Sequence, residues 1–301
     1  MTTAFLSARR ISLFLRRENK IMAEILDVDR IYKKLKKQIK QDIAEAGSLS
    51  LASLRVGNDY SAKVYSVSQE KLAQEFGVKY VSAVVDENVT IAECIEKIKA
   101  FSRDKNISGI IVNKPFPKDW NEADVFGAVD PAKDIEGLHP LNLGSLFWGD
   151  ESKFISPTVL SVLEVLDSAE VELYGKEVTI VGFSTLIGKP LAIILGRKFA
   201  TVNITHIATY ESERLPFYLE NADIVISAVG KPHIIRGECL KKGAIIIDVG
   251  IGQKNGKICG DVEFESARKR ASLITPVPGG IGRLTPLFLF QNLVKTASRQ
   301  K

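Results

Sequence analysis

The sequence predicts an α/β protein with two domains. The chain has 301 residues, which is more than a single hydrophobic core usually organises. Segments rich in β-branched residues alternate with helical segments, and this pattern predicts β-α-β units with largely parallel sheets. The alternation runs in two series, of which the second is typical of a Rossmann-type, doubly wound nucleotide-binding domain. We therefore expect one α/β domain followed by a nucleotide-binding domain.

The first series begins with an amphipathic helix over residues 27–46. Its apolar residues recur every three or four positions, at Val28, Ile31, Leu35, Ile39 and Ile43. The elements that follow are predicted from β-branched runs, helix caps and a glycine stop. They are a strand at Ser50–Val56, a helix at Ser61–Phe76 ended by Gly77, a strand at Lys79–Val85, a helix at Thr90–Ser102 and a buried strand at Gly109–Val112.

The second series follows a turn-rich segment, Pro131–Pro140, and a connecting helix that starts near Pro157. Its predicted strands are Val178–Val181, Thr201–Ile207, Ile224–Val229, Ala244–Val249 and the strand-like run Ala271–Thr275. A last helix is predicted over Leu284–Ala297, with Thr285 placed to cap or start it. We expect the domains to comprise residues 22–155 with 285–301, and residues 156–284, after an extension at 1–21.

The charge distribution argues against nucleic-acid binding. The net charge is +5, but residues 1–21 hold five basic residues and one acidic residue, a net of +4, which leaves +1 for the remainder. This Arg-rich extension is typical of an organelle transit peptide, and an upstream start codon before Met22 is the alternative. Its apolar pieces are too short to span a membrane. We expect a cytoplasmic protein, with mitochondrial-type import if residues 1–21 are a transit peptide.

The three cysteines are far apart in the sequence, at Cys94, Cys239 and Cys259. None forms a C-x-x-C pair. The pattern argues for reduced thiols, and against a disulfide framework or a zinc site. We expect no metal.

A loop rich in proline and glycine, Pro276–Gly282, precedes the last helix. Proline fixes φ and glycine permits positive φ, so the loop has a defined shape. A ligand could approach the backbone at Gly279 and Gly280. The alternative is an ordinary helix-entry turn.

A second glycine-containing turn leaves the strand at Val178–Val181. It runs from Gly182 through Phe183, Ser184 and Ile187 to Gly188. A turn between a strand and a helix can hold a phosphate group. The two glycines are six residues apart rather than in the compact G-x-G-x-x-G spacing, so a helix cap is an equal alternative.

Two residues on the predicted helix Ser61–Phe76 share one face. Tyr65 and Gln69 are four residues apart, so their side chains point the same way. A lysine beside a tyrosine would favour proton transfer, but a glutamine can only donate and accept hydrogen bonds. Packing is the alternative role for Tyr65.

Further polar residues follow the buried strand at Gly109–Val112. Open α/β sheets bind ligands at the carboxyl ends of their strands, where Asn113, Lys114 and Pro115 lie. Lys114 would face away unless the prolines bend the chain. In the later turn, Asp134 or Glu136 could hold an amino-pyrimidine ring, although a turn-capping aspartate is equally common. His206, at a strand end in the second series, is better placed than His139 to lie near a cofactor.

Together these residues resemble the bifunctional methylenetetrahydrofolate dehydrogenase/methenyltetrahydrofolate cyclohydrolase family, from Met22 onward. The motifs that carry the resemblance are Val56-Gly57-Asn58-Asp59 before the Tyr65 helix, Pro131–Gly137, Ala222–Val225, Ile247–Ile251, Gly260-Asp261-Val262 and Thr275–Gly282. The resemblance implies a folate/catalytic domain, a nicotinamide cofactor on the second domain, a folate site in the cleft between them and a homodimer.

The resemblance also implies roles for individual residues. Tyr65, Gln69, Asn113 and Glu136 fall on catalytic positions. Substrate contacts fall on Tyr65, Asn113, Lys114, Pro115, Asp134, Glu136, Gly279 and Gly280. Cofactor contacts fall on Gly182, Phe183, Ser184, Ile187, Gly188, His206, Val229, Gly230, Gly250 and Ile251.

Several site positions depart from the family pattern. The family's catalytic lysine falls on Gln69, its glutamine on Asn113 and its pterin-binding aspartate on Glu136. Its P-C-T-P segment is replaced near Ser156–Val159, its serine after the strand-end histidine is Ile207, and a proline after the glycine loop is Arg283. Its arginine linked to the 2′-phosphate of NADP is Phe183, yet no acidic residue closely follows the strand at 201–207 as an NAD site requires. We expect NADP, with NAD as the alternative.

These departures bear differently on two reactions. Hydride transfer mainly requires two rings held in the right geometry, whereas hydrolysis of the methenyl group requires proton transfer. We therefore expect NAD(P)-dependent oxidation of 5,10-methylenetetrahydrofolate, in one-carbon metabolism, with a weak or absent cyclohydrolase step. A second hypothesis is that Lys114 replaces the missing lysine. The alternative from another class is a silent or repurposed binding or regulatory relative that keeps the fold.

Overall fold

The computed structural model describes residues 22–150 and 153–299, so the predicted extension at 1–21 lies outside the described residues. The strands are β1 (Glu24–Ile25), β2 (Ser50–Val56), β3 (Lys79–Val85), β4 (Gly109–Asn113), β5 (Glu177–Val181), β6 (Thr201–Thr205), β7 (Ile224–Ser227), β8 (Ile245–Asp248), β9 (Gly252–Lys254), β10 (Lys257–Cys259) and β11 (Leu273–Ile274). The helices are α1 (Val28–Ala46), α2 (Tyr60–Phe76), α3 (Ile91–Arg103), α4 (Glu122–Gly127), α5 (Pro140–Trp148), α6 (Pro157–Ser168), α7 (Gly188–Arg197), α8 (Ile207–Glu211), α9 (Leu215–Asn221), α10 (Phe264–Arg268) and α11 (Ile281–Arg299).

The chain forms two compact units. The six-stranded unit contains residues 22–27, Ala169–Ser184 and Leu195–Ile281, and the three-stranded unit contains Val28–Ser168, Thr185–Ile194 and the chain from Gly282. The boundary expected at residue 156 would put α6 in the nucleotide-binding domain. The structure instead groups α6 with the three-stranded unit.

The three-stranded unit is built on a parallel sheet in the order β3-β2-β4. One face packs against α1, α2 and α11, where the rings of Phe76 and Phe290 meet at 5.2 Å. The other face packs against α3 and α4 through residues such as Ile98 and Val125. Because side chains alternate along a strand, Leu51, Ser53 and Asn113 all point to the α2 side of the sheet.

The six-stranded unit is built on a fully parallel sheet in the order β1-β11-β8-β7-β5-β6, and β9 and β10 form a separate antiparallel pair. Every residue of β7 and β8 is buried, as expected for parallel strands covered on both faces. The chain passes from β5 to β6 on one side and then returns to β7 on the other. The crevice outside the carboxyl ends of β5 and β7 is therefore the topological switch point, where doubly wound sheets bind ligands.

Most predicted elements are present, and the differences lie at their ends. The predicted strand at 201–207 was too long, because it ends at Thr205 and Ile207 starts α8. The last helix begins at Ile281 rather than Leu284, so Thr285 lies inside α11 and does not cap it. Helix α4 and helix α5 were not predicted. In α5 the imidazole Nδ1 of His139 accepts a hydrogen bond from Leu141 N at 3.0 Å, which caps the helix.

Within the described residues, no helix is both long and apolar enough to cross a membrane.

Candidate functional site

Tyr65 and Gln69 share a face of α2 as predicted, and this face lies against the parallel sheet. Asp59 caps the helix, since its carboxylate accepts a hydrogen bond from Ala62 N at 2.9 Å. Gly77 ends it with a φ of 73°, a left-handed conformation that suits glycine. Gln69 is completely buried, whereas Tyr65 is half-buried.

The amide of Gln69 is bound on both sides. Its Oε1 accepts hydrogen bonds from Tyr80 Oη at 3.1 Å and from Ser53 Oγ at 3.4 Å. Its Nε2 donates to Asn113 Oδ1 at 3.4 Å. A neutral side chain thus occupies the position where the family pattern has a lysine.

Asn113 extends this network to the carboxyl end of β4. Its Nδ2 donates to Ser53 Oγ at 2.8 Å and to Leu54 O at 3.2 Å. Only 4% of its surface is exposed. The register of the sheet explains the cluster. Arg55 of β2 pairs with Asn113 of β4, and Ser53 lies two residues before Arg55, so its side chain is on the same face of the sheet.

Glu136 lies close to Tyr65 and has an unusual charge state. Burial and then the charge of the nearby Asp134 raise the pKa of its carboxyl to about 8, although a hydrogen bond from Val112 N at 3.3 Å and the charge of Lys114 act in the opposite direction. Burial, then the charge of Glu136, also raises the pKa of Tyr65. Both groups are therefore held predominantly protonated at neutral pH.

Asp134 is bonded within its own turn. Its Oδ2 accepts hydrogen bonds from His139 N at 2.7 Å and from Asn142 Nδ2 at 2.8 Å. Burial raises the pKa of this carboxyl, and the hydrogen bonds from Asn142 and His139 oppose the shift. Of the two carboxyls that the sequence left as alternatives, Asp134 has the contacts of a turn-stabilising residue. Glu136 is the one beside Tyr65.

Lys114 and Pro115 follow β4 on the exposed surface. The ammonium group of Lys114 forms an ion pair with Glu122 at the start of α4. Its charge nevertheless reaches Glu136, where it favours the ionised carboxyl. Lys114 therefore acts on the site through electrostatics, and its ammonium is bound elsewhere.

In the glycine loop before α11, one glycine is buried and required by the turn, and the other is exposed beside open space. Gly280 is buried, and a Cβ there would collide with the carbonyl oxygen of Pro276, so the turn itself requires glycine. Gly279 is exposed with a φ of 103°, and a Cβ there would meet no atom within 4 Å. Open space lies beside Gly279, so this is where a ligand can approach the backbone.

In the six-stranded unit, the turn after β5 is packed against the end of β7. Gly182 has a φ of 121°, and a Cβ there would lie 2.7 Å from Ala228 O. Val229 and Gly230 follow at the end of β7, and Phe183 and Ser184 are exposed in the turn. This arrangement leaves backbone groups at the switch point for a phosphate-bearing ligand. Ile187 and Gly188 lie at the start of α7 and pack in the three-stranded unit.

Large apolar side chains are exposed around the same edge of the six-stranded sheet. Phe183 is 50% exposed, Ile207 49% and Ile251 61%. His206 is exposed at the start of α8, and Gly250 precedes Ile251. A Cβ at Gly250 would collide with the carboxylate of Asp261, so this glycine is required by internal packing. Apolar surface beside a glycine-containing turn fits a dinucleotide with flat ring systems.

Sequence reasoning missed Ser53 and Tyr80. Both hydroxyls bind Gln69, but they come from neighbouring strands, and only the register of the sheet brings them to α2. The available signal was polar Ser53 within the otherwise apolar run of β2. Among the described residues, no group of three or more His, Cys, Asp or Glu side chains could hold a metal ion.

Two family models match the chain. Residues 26–136 match the catalytic domain of tetrahydrofolate dehydrogenase/cyclohydrolase, and residues 156–301 match the NAD(P)-binding domain of the same family. The bifunctional protein FolD of Acetivibrio thermocellus is 38% identical over 283 residues, which cover 92% of this chain and 98% of that protein.

Solved structures agree with the sequence comparison. The bifunctional enzyme FolD of Campylobacter jejuni is 35% identical with a TM-score of 0.87, and the match covers 93% of this chain and all of that one. A 5,10-methylenetetrahydrofolate dehydrogenase from the silkworm, Bombyx mori, is 33% identical with a TM-score of 0.85, covering 93% and 99%. The Trypanosoma brucei dehydrogenase-cyclohydrolase, solved with NADP and an inhibitor, is 30% identical with a TM-score of 0.87, covering 93% and 98%.

Proposed function

This chain belongs to the tetrahydrofolate dehydrogenase/cyclohydrolase family, and from that premise we propose that it oxidises 5,10-methylenetetrahydrofolate to 5,10-methenyltetrahydrofolate with NADP and hydrolyses the product weakly or not at all. The observation that carries the second part is the buried amide of Gln69, bound on both sides by neutral partners. The first part requires only that the substrate and cofactor be positioned.

The neutral network suits the oxidation step. When bound, NADP would accept the hydride, one hydrogen with two electrons, that the methylene carbon loses, and the folate product would carry a positive charge. A lysine ammonium at position 69 would repel that charge as it develops, whereas the amide of Gln69 does not. Tyr65 would pack against the reacting region. Asn113 and Glu136 would hold the pterin ring.

Glu136 has the properties needed to hold that ring. Its raised pKa of about 8 lets the free enzyme keep the carboxyl protonated in its buried position. An amino-pyrimidine offers hydrogen-bond donors that favour the ionised carboxylate. Substrate binding should therefore lower the pKa of Glu136 and release a proton.

The hydrolysis step lacks a suitable proton carrier. Water must lose a proton as it attacks the methenyl carbon, and a folate nitrogen must gain one as the ring opens. Gln69 cannot titrate, and the raised pKa of Tyr65 opposes formation of a phenolate. The ammonium of Lys114 is paired with Glu122. Glu136 is committed to the pterin ring in this proposal.

NADP fits the carboxyl edge of the six-stranded sheet. Gly182 keeps the turn after β5 close to the end of β7, because a Cβ there would lie 2.7 Å from Ala228 O. Phe183, Ile207 and Ile251 expose apolar surface at this edge, and the ring systems of the cofactor would pack against it. Ser184, Ile187, Gly188, His206, Val229, Gly230 and Gly250 are the further cofactor contacts we propose.

The test is a turnover assay with the purified chain. Reduction of NADP by 5,10-methylenetetrahydrofolate is expected, with NAD assayed in parallel. Lack of reduced product with both cofactors would overturn the dehydrogenase assignment and favour a silent relative. Hydrolysis of methenyltetrahydrofolate is followed separately. If it is fast and Lys114→Ala abolishes it while the neighbouring Lys118→Ala does not, Lys114 supplies the proton chemistry.

We further propose that the enzyme is a homodimer. Strand β3 is an edge of its sheet, pairing only with β2 in the described structure, and Val84 on it is 47% exposed. An exposed edge of this kind is normally covered. Light scattering after gel filtration should give twice the chain mass, and Val84→Lys should lower it. A monomeric wild type would contradict the proposal.

We propose a cytoplasmic location, with organellar import as the alternative if residues 1–21 are a transit peptide. A fluorescent protein fused behind residues 1–21 separates the two, because organellar fluorescence would overturn the cytoplasmic assignment.

A further inference from the structure

The hydrogen bonds around Gln69 have a direction that the backbone fixes. Leu54 O can only accept a hydrogen bond, so the atom of Asn113 that faces it at 3.2 Å is the amide nitrogen Nδ2. Asn113 Oδ1 therefore faces Gln69, which must present its Nε2 there, at 3.4 Å. Gln69 Oε1 then lies on the other side of its amide and faces Tyr80. One carbonyl of β2 thus determines how both amides are turned.

Tyr80 ends this series of hydrogen bonds. The register of β3 against β2 pairs Tyr80 with Leu51, which puts its side chain on the α2 side of the sheet. Its Oη lies 3.1 Å from Gln69 Oε1 and 3.3 Å from Ser66 O, and both of these oxygens can only accept. Burial raises the pKa of Tyr80, so the hydroxyl keeps at neutral pH the hydrogen that it donates to them.

Ser53 closes the hydrogen bonds into a ring. Its Oγ accepts from Asn113 Nδ2 at 2.8 Å and donates to Gln69 Oε1 at 3.4 Å. Both lone pairs of Gln69 Oε1 are then occupied, and both hydrogens of Asn113 Nδ2 are donated within the protein. Gln69 keeps one further hydrogen, on Nε2, and Asn113 keeps one further lone pair, on Oδ1.

The remaining hydrogen of Gln69 is directed at Tyr65. The two residues are four positions apart on one face of α2, and Gln69 is completely buried, so bulk water does not reach its amide. Burial raises the pKa of Tyr65, and a hydrogen bond with Gln69 acts in the opposite direction, as a donor facing the phenol oxygen does. The phenol oxygen therefore accepts from Gln69, which leaves the hydrogen of Tyr65 for a ligand.

Building on the proposed function, we propose that Tyr80 and Ser53 are positioning residues that act through Gln69, so that Tyr65 donates its hydroxyl hydrogen to an acceptor atom of the folate ring system. They act on the substrate only through Gln69 and Tyr65. By the same arrangement, Asn113 presents the free lone pair of its Oδ1 to a donor on the ligand.

The experiment is a double-mutant cycle between Tyr80 and Tyr65. We measure kcat/KM for 5,10-methylenetetrahydrofolate with NADP in the wild type, Tyr80→Phe, Tyr65→Phe and the double variant. Tyr80→Phe should lower kcat/KM about two- to tenfold, the range for one hydrogen bond, and should cause no further loss when Tyr65 is already phenylalanine. Tyr60→Phe is the matched control. Tyr60 lies on the same helix with 79% of its surface exposed, and its variant should keep the wild-type value.

A purely structural role for Tyr80 gives a different result. Its loss would then lower the free energy of unfolding but leave kcat/KM per folded molecule unchanged, or lower it by the same factor with and without the Tyr65 hydroxyl. Either result overturns the proposal, and urea unfolding supplies the folded fraction. If Tyr80→Phe does not fold, Ser53→Ala replaces it in the same cycle, because it removes the second donor to Gln69 Oε1.

Failure of the proposed function can be told apart from failure of this network. Calorimetry measures the affinity of each protein for 5,10-methylenetetrahydrofolate. A wild type that binds the folate but reduces neither NADP nor NAD overturns the dehydrogenase assignment, and the cycle is then judged on the dissociation constants, with the same expected dependence on Tyr65. A wild type that binds no folate overturns both proposals.

Discussion

Replacing Gln69 by lysine should create cyclohydrolase activity in this enzyme. The position is completely buried, and three oxygens surround the present amide: Tyr80 Oη at 3.1 Å, and Ser53 Oγ and Asn113 Oδ1 at 3.4 Å. All three can accept a hydrogen bond, which matches the three donors of an ammonium group. Burial would lower the pKa of the new lysine toward neutrality, where it can exchange protons with the reacting water and nitrogen.

The expected gain follows from general acid–base catalysis. Such groups contribute about 10²–10⁴-fold to rate, or about 3–5 kcal/mol of barrier. The assay follows loss of methenyltetrahydrofolate absorbance and corrects for hydrolysis in buffer. Dehydrogenase kcat should fall in the same variant, because the ammonium faces the positive charge that hydride loss creates.

Gln69→Met is the matched control. It keeps the length of the side chain but leaves Asn113 Oδ1 and Tyr80 Oη without their partner, at about 1–3 kcal/mol of unfolding free energy. It should gain no hydrolysis. The reasoning would be refuted if folded Gln69→Lys hydrolysed the substrate no faster than the wild type, or if the wild type were already as fast.

Three further predictions concern stability, measured by urea unfolding. The raised pKa of Glu136 means that, between about pH 4.5 and pH 8, the folded state binds a proton that the unfolded state releases. The free energy of unfolding of the wild type should therefore fall as pH rises from about 4.5 to about 8, and Glu136→Gln should become more stable relative to the wild type over the same range. A stability difference between the two proteins that does not change with pH would contradict this. Thr90→Ala should cost about 1 kcal/mol by removing the capping box of α3. Gly260→Ala should cost about 3 kcal/mol or more, because its Cβ would collide with the carboxylate of Asp248, whereas Gly144→Ala, with nothing within 4 Å, should be neutral or stabilising.

Periodicity in the sequence predicted most of the fold, because long amphipathic helices and β-branched runs depend on local patterns. Helices α4 and α5 were missed, since α5 begins at a proline after a turn and its cap comes from His139, a residue type that rarely signals a helix start. Ile207 was assigned to a strand because β-branched residues are common in strands. In the structure it begins α8, so its surroundings override this preference.

The candidate site was predictable only along single elements. The spacing of Tyr65 and Gln69 placed them on one helix face, and the structure agrees. The partners of Gln69 come from β2, β3 and β4, and a contact across strands depends on register that the sequence does not state. The residue types alone left Asp134 and Glu136 as alternatives, and the structure separates them because His139 and Asn142 bond to Asp134, whereas Glu136 lies beside Tyr65.

The way Gln69 is bonded bears on whether this chain is a silent relative. A site released from function has no reason to satisfy a new buried polar group, and an unpaired one costs free energy. Here both ends of the amide are paired, and the hydroxyl of Tyr80 reaches it from a neighbouring strand. Gln69, which stands where the family pattern has a titratable lysine, therefore has a neutral hydrogen-bond partner at each end of its amide. That arrangement opposes hydrolysis but suits a reaction whose product is a cation, and it favours an enzyme specialised for the dehydrogenase step over one that has lost both.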